Sequence, residues 1–249
     1  MNISKTVAFI PLRGGGKRVG LIDGKDKERA DLGGHPLMAW TIASALDSRV
    51  FDRVIAITRS PEHAELALRC GCHEVLERPA YTTRDFSPDI EWVLWALDTL
   101  KEKGPLPDMY SILRVTSPFR TAGDIISAWA SFQVGDTHSL RTVTPVEQHP
   151  GKMWVINHDV LLPLMPFGHD KNPWHSSATQ SLFKAYIQTA GMEMAWVNMT
   201  LQTKTIAGSI VRPYIVEGWN ALDINTKFDW YKAEQAVLHG MVAKPKGLR

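Results

Sequence analysis

Residues 6–18 read T-V-A-F-I-P-L-R-G-G-G-K-R. An apolar run ends at Leu12, and Arg13 and three glycines follow it. This predicts a buried first strand feeding a glycine-rich loop. Glycines let the backbone approach a ligand closely and turn its N–H groups inward, forming an anion-binding nest. Arg13, Lys17 and Arg18 flank Gly14, Gly15 and Gly16, and such cations suit phosphate oxygens. The loop is not a Walker A motif, because no Gly-Lys-Ser/Thr follows at the right spacing. It also lacks the third glycine of a dinucleotide fingerprint, where Val19 stands instead. Taken alone it reads as a phosphate loop, with a surface turn as the alternative. Lys25 and Lys27 continue the loop and are either further phosphate contacts or a solvated charge run.

Downstream, apolar residues recur at helical spacing over 36–48 (Leu37, Trp40, Thr41, Ala45, Leu46), and Pro36 suits a first helical turn. The same reading predicts strands at 53–58, 73–76, 109–115 and 139–146. Helices are expected at 61–69, 89–103 and 122–132. This alternation predicts an α/β domain, a parallel sheet with helices on both faces, whose ligands bind beyond the carboxyl ends of the strands. Residues 148–185 are less regular, with His149, Pro150, Pro163, Pro166 and Pro173. They read as a long loop or β-arm of the kind that carries function or an oligomer contact. Strand-like runs return at 192–197 and 210–216, and a helix is expected at 229–239. With no internal repeat or linker, residues 1–249 read as one domain.

A net charge of +2 and the lack of a polybasic block argue against a nucleic-acid partner. The terminal A-K-P-K-G-L-R reads as a frayed tail. Cys70 and Cys72 are too few for a disulfide framework and too close for a four-ligand zinc site. No apolar stretch approaches the roughly 20 residues needed to span a bilayer, and the short N-terminal run breaks at Pro11 and Arg13. The expectation is a cytoplasmic, reduced protein with no membrane partner.

Other stretches bear chemistry. Arg114, Thr116, Ser117 and Arg120 lie at a predicted strand end, where they either face a ligand or cap the helix that follows. Asp223 and Asn225 alternate, so on an extended segment they face one way, as a magnesium half-site completed by phosphate and water. The alternative is an Asx turn or cap before the last helix. Asp85 is a site candidate or a cap for the helix at 89–103. His149 reads as a loop histidine with a satisfied hydrogen bond, and the nine tryptophans as core or interface residues.

These stretches, taken in order, resemble the acylneuraminate cytidylyltransferase family, the CMP-sialic acid synthetases and their CMP-Kdo relatives. The family opening, A-R-G-G-S-K-R then lysine-asparagine and G-K-P-L, is similar to PLRGGGKR and GGHPLMAWTIASAL here. F-D-R-V-I-V-S-T-D is similar to FDRVIAITRS, and L-R-P-A-x-L-A-x-D to LERPAYTTRD. L-L-Q-P-T-S-P-L-R-T is similar to ILRVTSPFRT, H-P-x-K-M to HPGKM, and S-x-D-I-D-T-E-x-D to NALDINTKFD.

The resemblance implies a Rossmann-like, doubly wound, mostly parallel sheet of the nucleotide-diphospho-sugar transferase type, with a dimerisation arm and a homodimer. It implies CTP and a sugar acid as substrates, Mg2+ as cofactor and pyrophosphate as product. Carried over by position, Leu12, Arg13, Gly14, Gly15, Gly16 and Lys17 would hold the triphosphate. Lys25 or Lys27 would match the loop lysine. Arg78, Pro79, Asp85, Arg114, Thr116 and Ser117 would contact base and ribose. Arg120, Gln188 and Thr189 would contact the sugar, and Asp223 with Asn225 the metal.

The sequence also departs from the family. The loop between Arg18 and Gly34 is longer than usual. Arg114 replaces a common Gln, and Asn225 a second aspartate. Ile187-Gln188-Thr189-Ala190-Gly191 stands in place of the sialic-acid subgroup's R-x-N-G. Two other readings stay open: a nucleotidyltransferase for another nucleotide or sugar, and a nucleotide-binding homologue that has lost its chemistry.

Overall fold

The computed structural model describes residues 5–13, 19–84 and 86–248. Strand β1 (Thr6–Leu12) runs through the middle of the sheet. The hairpin β2 (Asp31–Leu32) and β3 (His35–Pro36) then leads into helix α1 (Leu37–Ser48). Its turn residues Gly33 and Gly34 both have positive φ, which a tight two-residue turn demands. Strand β4 (Arg53–Thr58), helix α2 (Pro61–Arg69), strand β5 (Glu74–Glu77), helix α3 (Asp89–Lys103) and strand β6 (Met109–Ile112) follow. Helix α4 (Ala122–Phe132) and strand β7 (Ser139–Pro145) complete the regular half.

The second half contains two small hairpins, β8 (Trp154–Asn157) with β9 (Val160–Pro163) and β10 (Gly168–His169) with β11 (Asn172–Pro173). Then come strand β12 (Tyr186–Trp196), helix α5 (Val197–Thr203), strand β13 (Val211–Ile215) and helix α6 (Lys227–Leu238). The main sheet has the order β13-β7-β12-β6-β1-β4-β5. Its pairs are parallel except those of β12, which is antiparallel to β6 and to β7.

The two cores follow from the period-2 alternation of β1. Ala8, Ile10 and Leu12 pack with residues of α1, α4 and α6 on one face. Val7 and Phe9 pack with Trp92, Val93, Ala96, Leu97 and Leu100 of α3 on the other.

Several expectations are adjusted. The strand expected at 109–115 ends at Ile112: Leu113 still donates to the Phe9 carbonyl at 3.0 Å, and the chain then leaves the sheet. The strand expected at 192–197 starts earlier, at Tyr186. Val197 instead opens α5, a short helix whose spacing is too brief to announce itself. The C-terminal segment is docked, not frayed. Lys244 donates to the Gly33 carbonyl, Gly247 N–H donates to Asp47 Oδ2 at 3.2 Å, and Leu248 packs on the core. Among the described residues, no helix is long and apolar enough to cross a membrane.

Candidate functional site

The carboxyl ends of β1, β5 and β6 bring the predicted residues together. Leu12 is fully buried at the end of β1, and Arg13, the next residue, donates from its guanidinium to the Thr83 carbonyl at 3.0 Å. Gly14, Gly15, Gly16, Lys17, Arg18 and Asp85 lie outside the described residues.

Arg78 and Pro79 follow β5. The Arg78 guanidinium is buried and donates to Thr82 Oγ1 at 3.1 Å, with its centre 5.5 Å from the Trp92 ring. Burial, reinforced by the nearby Arg13 cation, lowers its pKa against the pull of Asp89 and Glu91. Arg13 and Arg78 therefore form a cationic pair held on the short helical turn Ala80–Thr83.

Arg114 pairs with Asp89 at the start of α3 and with Glu193 of β12. Burial alone would lower its pKa, but the two carboxylates outweigh it and hold the guanidinium firmly charged. Asp89 also accepts from Trp92 Nε1 at 2.7 Å, and Glu193 lies 3.2 Å from Arg141, which donates to Gln188 Oε1 at 2.8 Å. A single polar chain thus runs from the Arg78–Trp92 contact to Gln188. Asp89, Arg141 and Glu193 were missed in the sequence as members of it. The available signal was Glu193, a charge inside the apolar alternation M-E-M-A-W.

Thr116 and Ser117 do not cap α4. That role falls to Thr121, which forms a reciprocal capping box with Asp124. Ser117 is buried, and its hydroxyl has no hydrogen-bond partner among the described residues. The Thr116 carbonyl accepts from Ile224 N–H at 2.8 Å, which draws the 223–225 segment to this edge. Lys27 donates to the Ile224 carbonyl at 3.1 Å. Lys25 is exposed and lies in a tight turn, paired through its backbone with Ile22. Of the two lysines, Lys27 is the one joined to the Asp223 segment.

Asp223 and Asn225 do face one way, since the Asn225 amide donates to Asp223 Oδ2. Neither is the helix cap, because Thr226 and Asp229 make the capping box of α6. Burial works to raise the Asp229 carboxyl, but bonds from Lys232, Thr226 and the Asn225 and Thr226 backbones hold it down at about 2. Asp223 Oδ1 is buried with no hydrogen-bond partner among the described residues. An orphaned carboxylate oxygen beside an amide suits a hard cation such as Mg2+, which takes one or two protein oxygens and keeps water and phosphate as its other ligands. Asp223 lines a cavity of about 590 Å³ together with Thr144, Ile187, Trp219, Asp229 and Lys232.

The 187–191 segment forms an irregular bulge in β12, where the register shifts between Gln188 and Glu193. Thr189 is buried and donates to Thr142 Oγ1 at 2.8 Å, so its hydroxyl supports the bulge. Gln188 is exposed at the bulge's edge. Arg120 is buried and donates to the Gly191 carbonyl, while its Nε and Nη2 have no hydrogen-bond partner among the described residues. Burial lowers Arg120 to about 10 despite the pull of Asp124. His149 is buried within the arm, with Nδ1 accepting from Gly151 N–H at 3.0 Å and Nε2 at 2.9 Å from the Phe183 carbonyl. It is a structural histidine.

This geometry meets a consistent set of relatives. A family model described as cytidylyltransferase matches residues 7–93. The chain is 25% identical over 213 residues to the pseudaminic acid cytidylyltransferase of Campylobacter jejuni, covering 84% of this chain and 88% of that one. It is 27% identical over 227 residues to the N-acylneuraminate cytidylyltransferase of Escherichia coli, covering 91% of this chain and 51% of that longer protein. It is 25% identical over 232 residues to the CMP-N,N'-diacetyllegionaminic acid synthase of Legionella pneumophila, covering 93% of this chain and 95% of the relative.

The fold is similar to that of a CMP:2-keto-3-deoxy-manno-octonic acid synthetase complexed with CTP. The TM-score is 0.67 at 13% identity, covering 95% of this chain and all of the other. The predicted doubly wound, mostly parallel sheet of the nucleotide-diphospho-sugar transferase type is therefore the observed fold. The family model covers the first strand-and-loop third of the chain and the relatives align along most of its length, so the chain is similar to cytidylyltransferases and, among them, to the acylneuraminate type.

Proposed function

We propose that this protein transfers CMP from CTP to the anomeric hydroxyl of a nonulosonic sugar acid and releases pyrophosphate. The observation that carries this reading is Asp223, whose buried Oδ1 has no partner among the described residues, on a segment that Lys27 holds through the Ile224 carbonyl, while Arg13 and Arg78 pair beyond the carboxyl ends of β1 and β5. Relatives named for pseudaminic, N-acylneuraminic and diacetyllegionaminic acids support the substrate class.

In this reading, Arg13, Lys27 and the glycine loop bind the triphosphate by charge and by backbone N–H groups. Arg78 and Pro79 border the nucleoside, with Trp92 beneath the guanidinium. Arg114, tied to Asp89 and Glu193, braces β6 against α3 and β12. The cavity between Asp223 and Ile187 receives the sugar acid. Gln188 lies near its rim, and Arg120 supports the bulge from below. The sugar hydroxyl oxygen bonds to the α-phosphorus, the bond from that phosphorus to the bridging oxygen breaks, pyrophosphate leaves and the hydroxyl proton is lost. Holding the two substrates in line supplies much of the acceleration, because it removes the entropy of a bimolecular encounter. Asp223, with Asn225 beside it, would hold Mg2+, which when bound neutralises charge developing on the phosphates.

The exposed apolar side chains of the arm, among them Val155, Ile156, Leu161 and Leu162, favour its role as a homodimer element. The test of the activity is a matrix of nucleoside triphosphates against sugar acids, read by pyrophosphate release with and without Mg2+. CTP-dependent release with a nonulosonic acid is expected. Preference for GTP or UTP, or nucleotide binding without turnover across the sugar panel, would overturn the reading.

A further inference from the structure

A second group of ligating side chains does not include Asp223. Asp26 and Glu28, in the turn that also carries Lys27, meet His63 in the first turn of α2, and one donor atom from each lies within 4.8 Å of the others. Glu28 is 5% exposed and His63 1% exposed. Glu28 Oε2 and His63 Nδ1 are both buried with no hydrogen-bond partner among the described residues. A buried carboxylate oxygen without a donor is costly, and so is a buried imidazole nitrogen. Glu28 Oε2 is the atom that points to a missing cation, since His63 faces the group through its other nitrogen, Nε2, which is hydrogen-bonded to Asp26.

Charge points the same way. Arg29 pairs with Asp26 and with Glu62. The carboxylates of Asp26, Glu28 and Glu62 gather around this one guanidinium, an acidic setting that favours a cation.

The backbone holds this group in place independently of any ligand. The Glu28 carbonyl accepts from Met38 N–H at 3.0 Å and the Ala30 carbonyl from Leu37 N–H at 2.9 Å, satisfying free N–H groups at the start of α1. Asp26 Oδ1 and His63 Nε2 stand 2.9 Å apart. Two ligands of a tetrahedral ion with bonds of about 2.0–2.1 Å lie about 3.3 Å apart, so a small separation admits one. The Asp26 side chain is 13% exposed and leaves a way in. One imidazole and two carboxylates suit a zinc-class ion better than magnesium or calcium, which prefer oxygen alone.

We propose that Asp26, Glu28 and His63 bind a divalent transition-metal ion of the zinc class, which pins the Lys27 turn to α2. Its ligands are none of the residues assigned to nucleotide, sugar or magnesium, although they flank Lys27, and its occupancy does not depend on which nucleotide or sugar the protein uses.

The test uses the full chain, stripped with EDTA and titrated with zinc chloride and, separately, cobalt chloride, without nucleotide or magnesium. One zinc ion per chain is expected, with a melting temperature that rises with zinc concentration. Cobalt should give the visible bands of a nitrogen–oxygen site with no thiolate charge-transfer band. Glu28→Gln and His63→Gln should each weaken zinc binding more than about tenfold, while Asp223→Asn leaves it unchanged. Metal-free Glu28→Gln should melt no lower than the metal-free wild type, since it removes an unpartnered buried charge; this shows that the variant folds.

The proposal is overturned if zinc does not bind. It is equally overturned if Glu28→Gln and His63→Gln bind zinc as the wild type does, or if a thiolate band places the ion on Cys70 or Cys72. None of these outcomes bears on cytidylyl transfer.

Discussion

Strand β1 and the hairpin β8–β9 are built from the same kind of residue and end in opposite circumstances. In β1, Val7, Ala8, Phe9 and Ile10 are buried between two neighbouring strands and two layers of helix. In the hairpin, W-V-I-N and V-L-L-P pair only with each other, and Ile156 is 74% exposed. Apolar composition therefore does not decide burial: a covering partner does. For β1 that partner is within the chain. For the arm, a second copy is the partner consistent with so much exposed apolar surface. The body carries the candidate chemistry and the arm the candidate assembly surface.

The sharpest challenge to this division is Asp223→Asn, in the body. It should lower kcat for pyrophosphate release at least about 100-fold, several kcal/mol of lost stabilisation. The melting temperature should not fall, since Asp223 Oδ1 makes no hydrogen bond among the described residues. A variant of near-wild-type turnover would remove Asp223 from the site.

Deleting 155–180 from the arm should yield a monomer by light scattering, with poor activity and an intact body by circular dichroism. A deletion protein that stays dimeric would place the interface elsewhere.

A matched pair of isoleucines tests burial directly. Ile55→Ala in β4, fully buried, should cost about 2–5 kcal/mol in a denaturant titration. Ile156→Ser in the arm should change monomer stability by only about 0.5 kcal/mol, while weakening association. Equal losses in the two would mean that the arm is covered within the chain.

The smallest effect concerns the cap of α6. The Asp229 carboxyl is held down at about 2 in the folded protein, below its unfolded value of about 3.9. A depressed folded pKa contributes stability that is present above about pH 4 and is lost as pH falls towards 2. Asp229→Asn should therefore cost about 1 kcal/mol at pH 7 and progressively less in acid, read from melting curves across that window. A cost independent of pH would assign the effect to the shape of the side chain.

The regular half of the chain was readable because each element carries its own period. The helices at 61–69, 89–103 and 122–132 stand where their spacing placed them. The loop lysine was not readable. Lys25 and Lys27 look alike in sequence, and only the fold carries Lys27 to Ile224. Arg114 was equally ambiguous, since its carboxylate partners lie 25 residues before it and 79 residues after it.

The local pattern alone determined the alternation of strands and helices and the alternating Asp223–Asn225 pair, because those depend on neighbours in the chain. The tertiary structure decided the strand order, the reversal of β12, the seating of the C-terminal tail on α1 and the meeting of Asp26 and Glu28 with His63. Those features depend on contacts between residues far apart in sequence, and backbone pairing and burial select among them only once the whole sheet is assembled.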